Sequence, residues 1–213
     1  MDHSKKVNIQ VETCHYFNID YDIKERFITY WHQINQIILV NPREILEIGI
    51  GNGFVSKYLK ERNFNIVTLD IDYRLFPAVV GNVLQIPFLD RSFDAVACFE
   101  LLEHLPYKNF PEALKELYRV SRSYIIISLP DVTTAYRFYI ELPRIRPIRK
   151  MFKHPFPRES WHHFDGQHYW EIGKRGYSLK RIEEDIRRSG LKIVNTYRIF
   201  EVKHRRFFLL SGL

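Results

Sequence analysis

The sequence has few features of membrane, secreted or fibrous proteins. It has no apolar run of roughly 18 residues, so it predicts no membrane-spanning helix. Its two cysteines, Cys14 and Cys98, are too few for a disulfide framework, and residues 1–6 are polar and lack the core of a signal peptide. Hydrophobic residues are 46% and charged residues 27%, typical of a globular chain. We therefore expect one domain over residues 1–213, located in the cytoplasm.

The positive charge is concentrated in the C-terminal part of the chain. Residues 1–130 carry 14 lysines and arginines against 16 acidic residues, whereas residues 131–213 carry 18 against 9. The net charge of +7 is thus the balance of −2 and +9. This asymmetry favours an anionic partner, which can be a small substrate, a nucleic acid or a membrane surface. A solvated basic face is the alternative.

Hydrophobic patterning predicts strands that alternate with helices. A helix over 21–40 places five apolar residues at steps of three and four, namely Ile23, Phe27, Trp31, Ile34 and Ile38. Further helices are expected over 55–62, 111–120 and 178–190, and strands over 44–49, 66–69, 92–99, 124–129, 191–200 and 206–210. This order indicates right-handed βαβ units, a parallel sheet and a C-terminal antiparallel hairpin. Residues 131–177 are dense in aromatic and basic side chains, and we interpret them as an inserted cap over the sheet.

A glycine-rich turn follows the first predicted strand. In Glu47–Gly53 the glycines are the first, third and fifth residues counted from Gly49, and Phe54 is the sixth. A dinucleotide site needs glycine at that sixth position, so Phe54 argues against a bound pyrophosphate. Asp70 ends the next strand, where a carboxylate can accept hydrogen bonds from both ribose hydroxyls. The pattern predicts a ligand that contains adenosine but no pyrophosphate over the turn.

Four motifs in order resemble the class I S-adenosylmethionine-dependent methyltransferases. They are the turn, Asp70, the stretch 81–94 (GNVLQIPFLDRSFD), and LLEHL at 101–105 followed by the helix and strand that end at Pro130. The resemblance implies a Rossmann-like, doubly wound, mostly parallel sheet of seven strands. It also implies S-adenosylmethionine as cofactor and S-adenosylhomocysteine as product.

The same resemblance implies the cofactor-binding residues. Glu47 would hold the ammonium group, Asp70 the ribose and Asn82 the adenine amine, while Phe99 would border the methyl group unless it only fills the core. We expect Asp72 to face solvent. The full set of expected cofactor-binding residues is Glu47, Gly49, Gly51, Asn52, Asp70, Ile71, Asn82, Val83 and Phe99.

His104 is the catalytic residue that we expect from the sequence. Methyl transfer from a sulfonium mainly requires alignment, and a general base helps only when the acceptor atom carries a proton. His104 follows the strand that would face the methyl group. The alternative is a histidine that only bonds to the backbone.

A metal-assisted reaction is a further alternative. Glu100, Glu103 and His104 resemble the metal site of small-RNA 3′-end 2′-O-methyltransferases and of some quinone-biosynthesis O-methyltransferases. His168 would supply the fourth ligand, with His162 and His163 as rivals. Mg, Mn or Zn would suit such ligands. Because Leu-Glu-His also occurs in relatives without a metal, the sequence alone leads us to predict no metal ligand.

The expected reaction is O- or N-methylation of a small anionic or sugar-containing acceptor. Aromatic and basic residues of the insertion, among them Arg144, Arg146 and Arg149, are expected to select it. Contact of this basic segment with nucleic acid or with a membrane surface stays open. The alternatives are a metal-assisted RNA 2′-O-methyltransferase and a catalytically silent cofactor-binding partner protein.

Overall fold

The computed structural model describes residues 9–155 and 160–212. The expected absence of a signal peptide concerns residues 1–6, which lie outside the described residues. Five α-helices are present in the described part: α1 Thr13–Tyr16, α2 Lys24–Val40, α3 Phe54–Lys60, α4 Phe110–Val120 and α5 Leu179–Arg188. None of the described helices is long and apolar enough to cross a membrane.

Seven strands form one sheet in the order β3-β2-β1-β4-β5-β9-β8. The first five strands are parallel, and β9 runs antiparallel to both of its neighbours. The predicted α/β fold, with its mostly parallel sheet and C-terminal antiparallel hairpin, is confirmed. The strands of this sheet are β1 Glu44–Ile48, β2 Asn65–Asp70, β3 Val79–Val80, β4 Phe93–Phe99, β5 Ser121–Pro130, β8 Leu191–Arg198 and β9 Arg205–Gly212.

Helices cover both faces of the sheet, as a doubly wound fold requires. On one face, residues such as Leu114 of α4 and Ile182 of α5 pack on alternate strand residues that include the buried Cys98. On the other face, Ile37 of α2 and Leu59 of α3 pack on the intervening strand residues. Because a parallel strand between two layers is buried on both sides, its sequence is continuously apolar rather than alternating.

The helix α2 confirms the predicted element, but its buried face is not the apolar face that the spacing indicated. Of the five apolar residues at helical spacing, only Ile34 is buried, while Ile23, Phe27, Trp31 and Ile38 are exposed. The buried face instead carries Thr29, Tyr30, Gln33, Ile34, Gln36 and Ile37. The helix has apolar residues on two sides, so periodicity alone could not tell which side packs on the sheet.

The insertion contains a β-ribbon that the sequence pattern did not predict. Strands β6 (Ala135–Leu142) and β7 (Ile145–Lys153) pair antiparallel with each other, apart from the main sheet. After the ribbon, the part of the insertion that the structure describes packs against the domain at Trp170. That side chain is fully buried, and its indole Nε1 donates to the carbonyl of Leu105 at 3.1 Å. Through this contact, residues near 170 are held beside the 101–105 segment.

Candidate active site

The turn between β1 and α3 needs glycine where it approaches Leu101. Gly49 has a φ of +79°, and a Cβ there would lie 2.3 Å from Leu101 Cδ1. Any side chain at this position would meet both a strained backbone and a steric clash. Gly49 therefore lets the segment that follows β4 pack directly on the turn.

The ten residues predicted to bind cofactor or to catalyse line one cavity at the carboxyl edge of the parallel strands. The structure thus brings these ten residues together, and their individual roles are predictions. They are Glu47, Gly49, Gly51, Asn52, Asp70, Ile71, Asn82, Val83, Phe99 and His104.

Two buried carboxyl groups face this cavity from neighbouring strands. Burial raises the pKa of Glu47 to about 8, and its Oε2 has no hydrogen-bond donor among the described residues. Asp70 accepts hydrogen bonds from the backbone amides of Ile50 and Asp72, each at 2.9 Å, and burial raises its pKa as well. Glu47 thus presents an unpaired oxygen to the cavity, while Asp70 is fixed in orientation by the backbone.

The amide side chains of the site are also held in place. Asn52 Nδ2 donates to the hydroxyl of Tyr30 at 2.9 Å, and its Oδ1 accepts from the backbone amide of Phe54 at 3.1 Å. Asn82 Oδ1 accepts from the amide of Leu84 at 2.9 Å. These bonds attach the turn to α2 and shape the loop after β3.

The segment before α2 forms a wall of the cavity that the sequence did not predict. Ile9, Val11, Tyr16 and Tyr21 line it, and the Tyr16 ring would lie 3.5 Å from a Cβ placed on Gly51. These apolar and aromatic residues have no regular period in the sequence. Their position ahead of a predicted helix was the one sign that they contact the domain, and it did not point to the cavity.

Asp72 contributes to anchoring this segment, which corrects the expectation that it faces solvent. It is 2% exposed, accepts a hydrogen bond from Thr13 Oγ1 at 3.1 Å and is paired by the Arg74 guanidinium. The hydrogen bonds from Arg74 lower the pKa of Asp72. The carboxylate is thus used to hold α1 against the loop after β2.

His104 lies at the end of the cavity away from Asp70 and bonds to the backbone. Its Nδ1 is 3.0 Å from the carbonyl oxygen of Gln167, as the alternative interpretation expected, but the residue also lines the cavity. Burial lowers the pKa of His104 to about 4. With Nδ1 donating to Gln167, the neutral ring keeps Nε2 as an acceptor.

Residues 46–125 match the family model described as a methyltransferase domain. This match and the fold together support a class I S-adenosylmethionine-dependent methyltransferase. The chain is 27% identical over 152 residues to demethylmenaquinone methyltransferase of Thermotoga maritima, covering 57% of this chain and 64% of that protein. It spans between 34% and 64% of the length of the curated relatives that it matches.

Two solved structures show that the likeness in fold extends along most of the chain. A methyltransferase from Archaeoglobus fulgidus is 14% identical with a TM-score of 0.64, covering 94% of this chain and all of that one. The 1,6-didemethyltoxoflavin-N1-methyltransferase of Burkholderia thailandensis, solved with S-adenosylhomocysteine, is 13% identical with a TM-score of 0.62 and covers 93% and 84%. At such identities the likeness establishes the fold alone.

Three potential metal ligands meet next to the cavity. One ligand atom from each of Glu103, His104 and His168 lies within 4.8 Å of the others. Glu103 is fully buried, and neither of its carboxylate oxygens has a hydrogen-bond donor among the described residues. His168 Nδ1 lies 2.9 Å from Glu171 Oε1, so both histidines have one ring nitrogen occupied and Nε2 available.

Glu100 is not part of this cluster, although the sequence placed it there. It lies 2.7 Å from Arg205 and 3.6 Å from Arg26, and it precedes the short helix that carries Glu103. The rival ligands His162 and His163 are not in the cluster either, among the residues that the structure describes. Because Glu100 pairs with two arginines, its carboxylate makes a structural contact and does not join the potential metal ligands.

The arginines expected to bind the acceptor lie away from the cavity. Arg144, Arg146 and Arg149 are on or next to β7, and Arg149 pairs with Glu201 at 2.9 Å. Of the arginines that the structure describes, the cavity is lined by Arg26. The insertion reaches the site through residues 167–171 instead, because the Tyr169 amide donates to the Glu103 carbonyl at 2.8 Å.

Proposed function

We propose that this protein binds S-adenosylmethionine in the cavity beside the glycine turn and transfers its methyl group to an acceptor near His104. The observation that carries the proposal is the convergence of ten sequence-predicted residues on one cavity. They come from β1, β2 and β4 and from the loops after β1, β2, β3 and β4, so chance proximity along the chain does not account for it.

The cavity has suitable groups for each part of the cofactor. Glu47 Oε2 is a buried acceptor without a donor, which suits the ammonium group. Asp70 has lone pairs left after its two backbone bonds and suits the ribose hydroxyls. Asn82 and Val83 border the remaining side of the cavity, where we place the adenine.

The sulfonium cofactor supplies a methyl group that is already activated for displacement. The protein then has to orient the acceptor and exclude water. Tyr16 and Tyr21 lie next to Gly51 of the turn, and Phe99 also lines the cavity. For an acceptor that carries a proton, Nε2 of His104 is the acceptor group available at this end of the cavity.

A second candidate is metal-assisted O-methylation of an acceptor with two adjacent hydroxyls, as at an RNA 3′ end. A buried carboxylate without donors is costly unless a cation or a proton compensates it, and Glu103 is such a group. Glu103, His104 and His168 would hold a divalent ion, and the Gln167 carbonyl and Glu171 would orient the two rings. The ion would act as a Lewis acid on the acceptor oxygens.

The acceptor that we propose is small and anionic or sugar-containing. Arg26 lines the cavity, and it supports the binding of an anionic group at the end near Glu100. Two unpaired cysteines agree with a reducing compartment, and we retain the cytoplasm as its location.

The deciding experiment is transfer of label from methyl-labelled S-adenosylmethionine into fractionated cell extract, with and without chelator. Labelled small molecules that are insensitive to chelator support the first candidate. Labelling that chelator abolishes, that Mn²⁺ or Zn²⁺ restores, and that Glu103→Gln loses supports the second. Glu61→Gln, which changes an exposed carboxylate after α3, is the matched control.

Absence of label in every fraction would overturn both candidates, provided that the protein still binds S-adenosylhomocysteine. That result would favour the catalytically silent partner protein instead.

A further inference from the structure

The ribbon formed by β6 and β7 has one face that is almost entirely apolar. Side chains directly opposite each other in an antiparallel pair share a face, and so do alternate residues along each strand. The seven apolar members of this face are between 37% and 58% exposed. We call it the apolar face, and its opposed pairs are Tyr136 with Phe152, Phe138 with Lys150, Ile140 with Ile148, and Leu142 with Ile145.

The opposite face of the ribbon is attached to the domain. Arg137 donates to the backbone carbonyls of Phe200 and Glu201 at 3.3 and 2.9 Å. Arg149 pairs with the Glu201 side chain at 2.9 Å, and the Tyr139 ring lies 6.5 Å from that of Phe200. These contacts fix which way the ribbon is turned, and they leave the apolar face directed away from the β8–β9 connection.

The ribbon is also strongly basic. Residues 135–153 contain six arginines and lysines and one glutamate, a net charge of +5. Arg137 and Arg149 are used in the attachment to residues 200–201. The other four, Arg144, Arg146, Lys150 and Lys153, make no salt bridge to a carboxylate of the described residues. Lys150 lies within the apolar face, and the other three are next to its members along the chain.

We propose that the ribbon docks on an anionic lipid surface, with its apolar face against the boundary between headgroups and acyl chains. A contiguous exposed apolar face marks an interaction site on a water-soluble domain. Basic side chains around it are each attracted to anionic headgroups by about 1 kcal/mol. Lys150, within the face, has a long stem that can lie on the apolar surface while its ammonium reaches the headgroups.

Other occupants fit this surface less well. A second copy would bring together two ribbons of net charge +5, which repel each other. Single-stranded nucleic acid binds basic grooves by stacking bases on aromatic rings. The part of the apolar face nearest the turn is aliphatic, since it consists of Ile140, Leu142, Ile145 and Ile148. Only a lipid surface complements both the aliphatic side chains and the positive charge.

The test is cosedimentation of the full chain with vesicles of phosphatidylcholine alone or with 30 mol% phosphatidylserine. The wild type is expected to bind the anionic vesicles and to be released by roughly 0.5 M salt. Arg144→Ser with Arg146→Ser should weaken binding about 30-fold, from about 1 kcal/mol per charge. Lys180→Ser with Arg188→Ser removes the same charge from exposed positions of α5 and should bind nearly as the wild type.

The apolar face is tested by Ile140→Ser with Leu142→Ser and Ile145→Ser, which should weaken vesicle binding at least about tenfold. The matched control, Trp31→Ser with Leu39→Ser, removes exposed apolar side chains from α2 and should change nothing. Because these side chains are exposed, all variants should keep the thermal unfolding of the wild type.

The proposal is overturned if the wild type ignores anionic vesicles or binds neutral vesicles equally. It is also overturned if the triple variant binds vesicles like its control. The same holds if the variant loses only self-association in sedimentation equilibrium, or only the binding of single-stranded RNA.

Discussion

Asp70 is the side chain through which the cofactor assignment is most directly tested. Its oxygens accept from the amides of Ile50 and Asp72, which fixes the carboxylate toward the cavity. Asp70→Asn removes the charge and one acceptor, so S-adenosylhomocysteine should bind about 1–3 kcal/mol more weakly by calorimetry. Asp90→Asn, at a side chain that is 73% exposed, is the matched control. Equal affinity in wild type and Asp70→Asn would show that Asp70 does not hold the ligand.

Glu47 predicts a pH dependence of stability in the ligand-free protein. Burial raises the pKa of Glu47 to about 8 from a reference value of 4.5. Between these values the folded state binds the proton more tightly than the unfolded state, so the free energy of unfolding falls as pH rises. The fall is at most about 1.4 kcal/mol per pH unit, and it ends above about pH 8. Glu47→Gln should therefore show a shallower slope than the wild type in urea titrations at pH 5 to 8. Glu103, whose pKa burial also raises to about 8, keeps its own contribution in both proteins.

The cofactor should also change how the free energy of unfolding depends on pH. An ammonium group bound at Glu47 favours the carboxylate and opposes the effect of burial on its pKa. Saturation with S-adenosylhomocysteine is therefore expected to flatten the pH dependence in the wild type. Identical slopes in the free wild type and in Glu47→Gln would contradict the raised pKa, whatever the ligand does.

Buried and exposed apolar residues of helix α2 should differ in how much their replacement lowers the free energy of unfolding. Ile37 is fully buried between α3 and the sheet, whereas Trp31 is 60% exposed. Ile37→Ala should lower the free energy of unfolding by about 2–4 kcal/mol in urea titrations, because it leaves a cavity. Trp31→Ala, although it removes more atoms, should cost under about 1 kcal/mol. A larger loss of stability from Trp31→Ala than from Ile37→Ala would mean that the face carrying Trp31 is the buried one.

The elements that the sequence predicted well are those whose signals are local. The strands ending at Ile48 and Asp70 could be recognised because each contains a short run of aliphatic, mostly β-branched residues, and the turn because glycine permits positive φ. The contribution of Tyr16 to the cavity could not be recognised from the sequence, because it depends on contacts with residues far along the chain. The same is true of His168, which meets Glu103 only after the insertion folds back at Trp170.

The choice between an adenosyl sulfonium and a dinucleotide concerns the packing of the entire domain. Phe54 occupies the position where a dinucleotide site has its third glycine, and it stacks on Tyr30 of α2 with centroids 4.5 Å apart. Tyr30 in turn bonds to Asn52 of the turn, so α2 closes the start of α3 against a pyrophosphate. This packing supports the proposal that the ligand is an adenosyl sulfonium whose ammonium group lies at Glu47.

This packing predicts which ligand stabilises the protein against heat. The cavity joins the segment before α2 to three strands of the sheet, so ligand bound there opposes unfolding of the domain. S-adenosylhomocysteine at 100 times its Kd should add about 2.7 kcal/mol, which raises Tm by about 5–10 °C in a chain of this size. NAD at the same concentration should shift Tm by less than about 1 °C, since Phe54 and Tyr30 occupy the space of its pyrophosphate. A larger shift with NAD would mean that α2 moves aside and that the turn receives a dinucleotide.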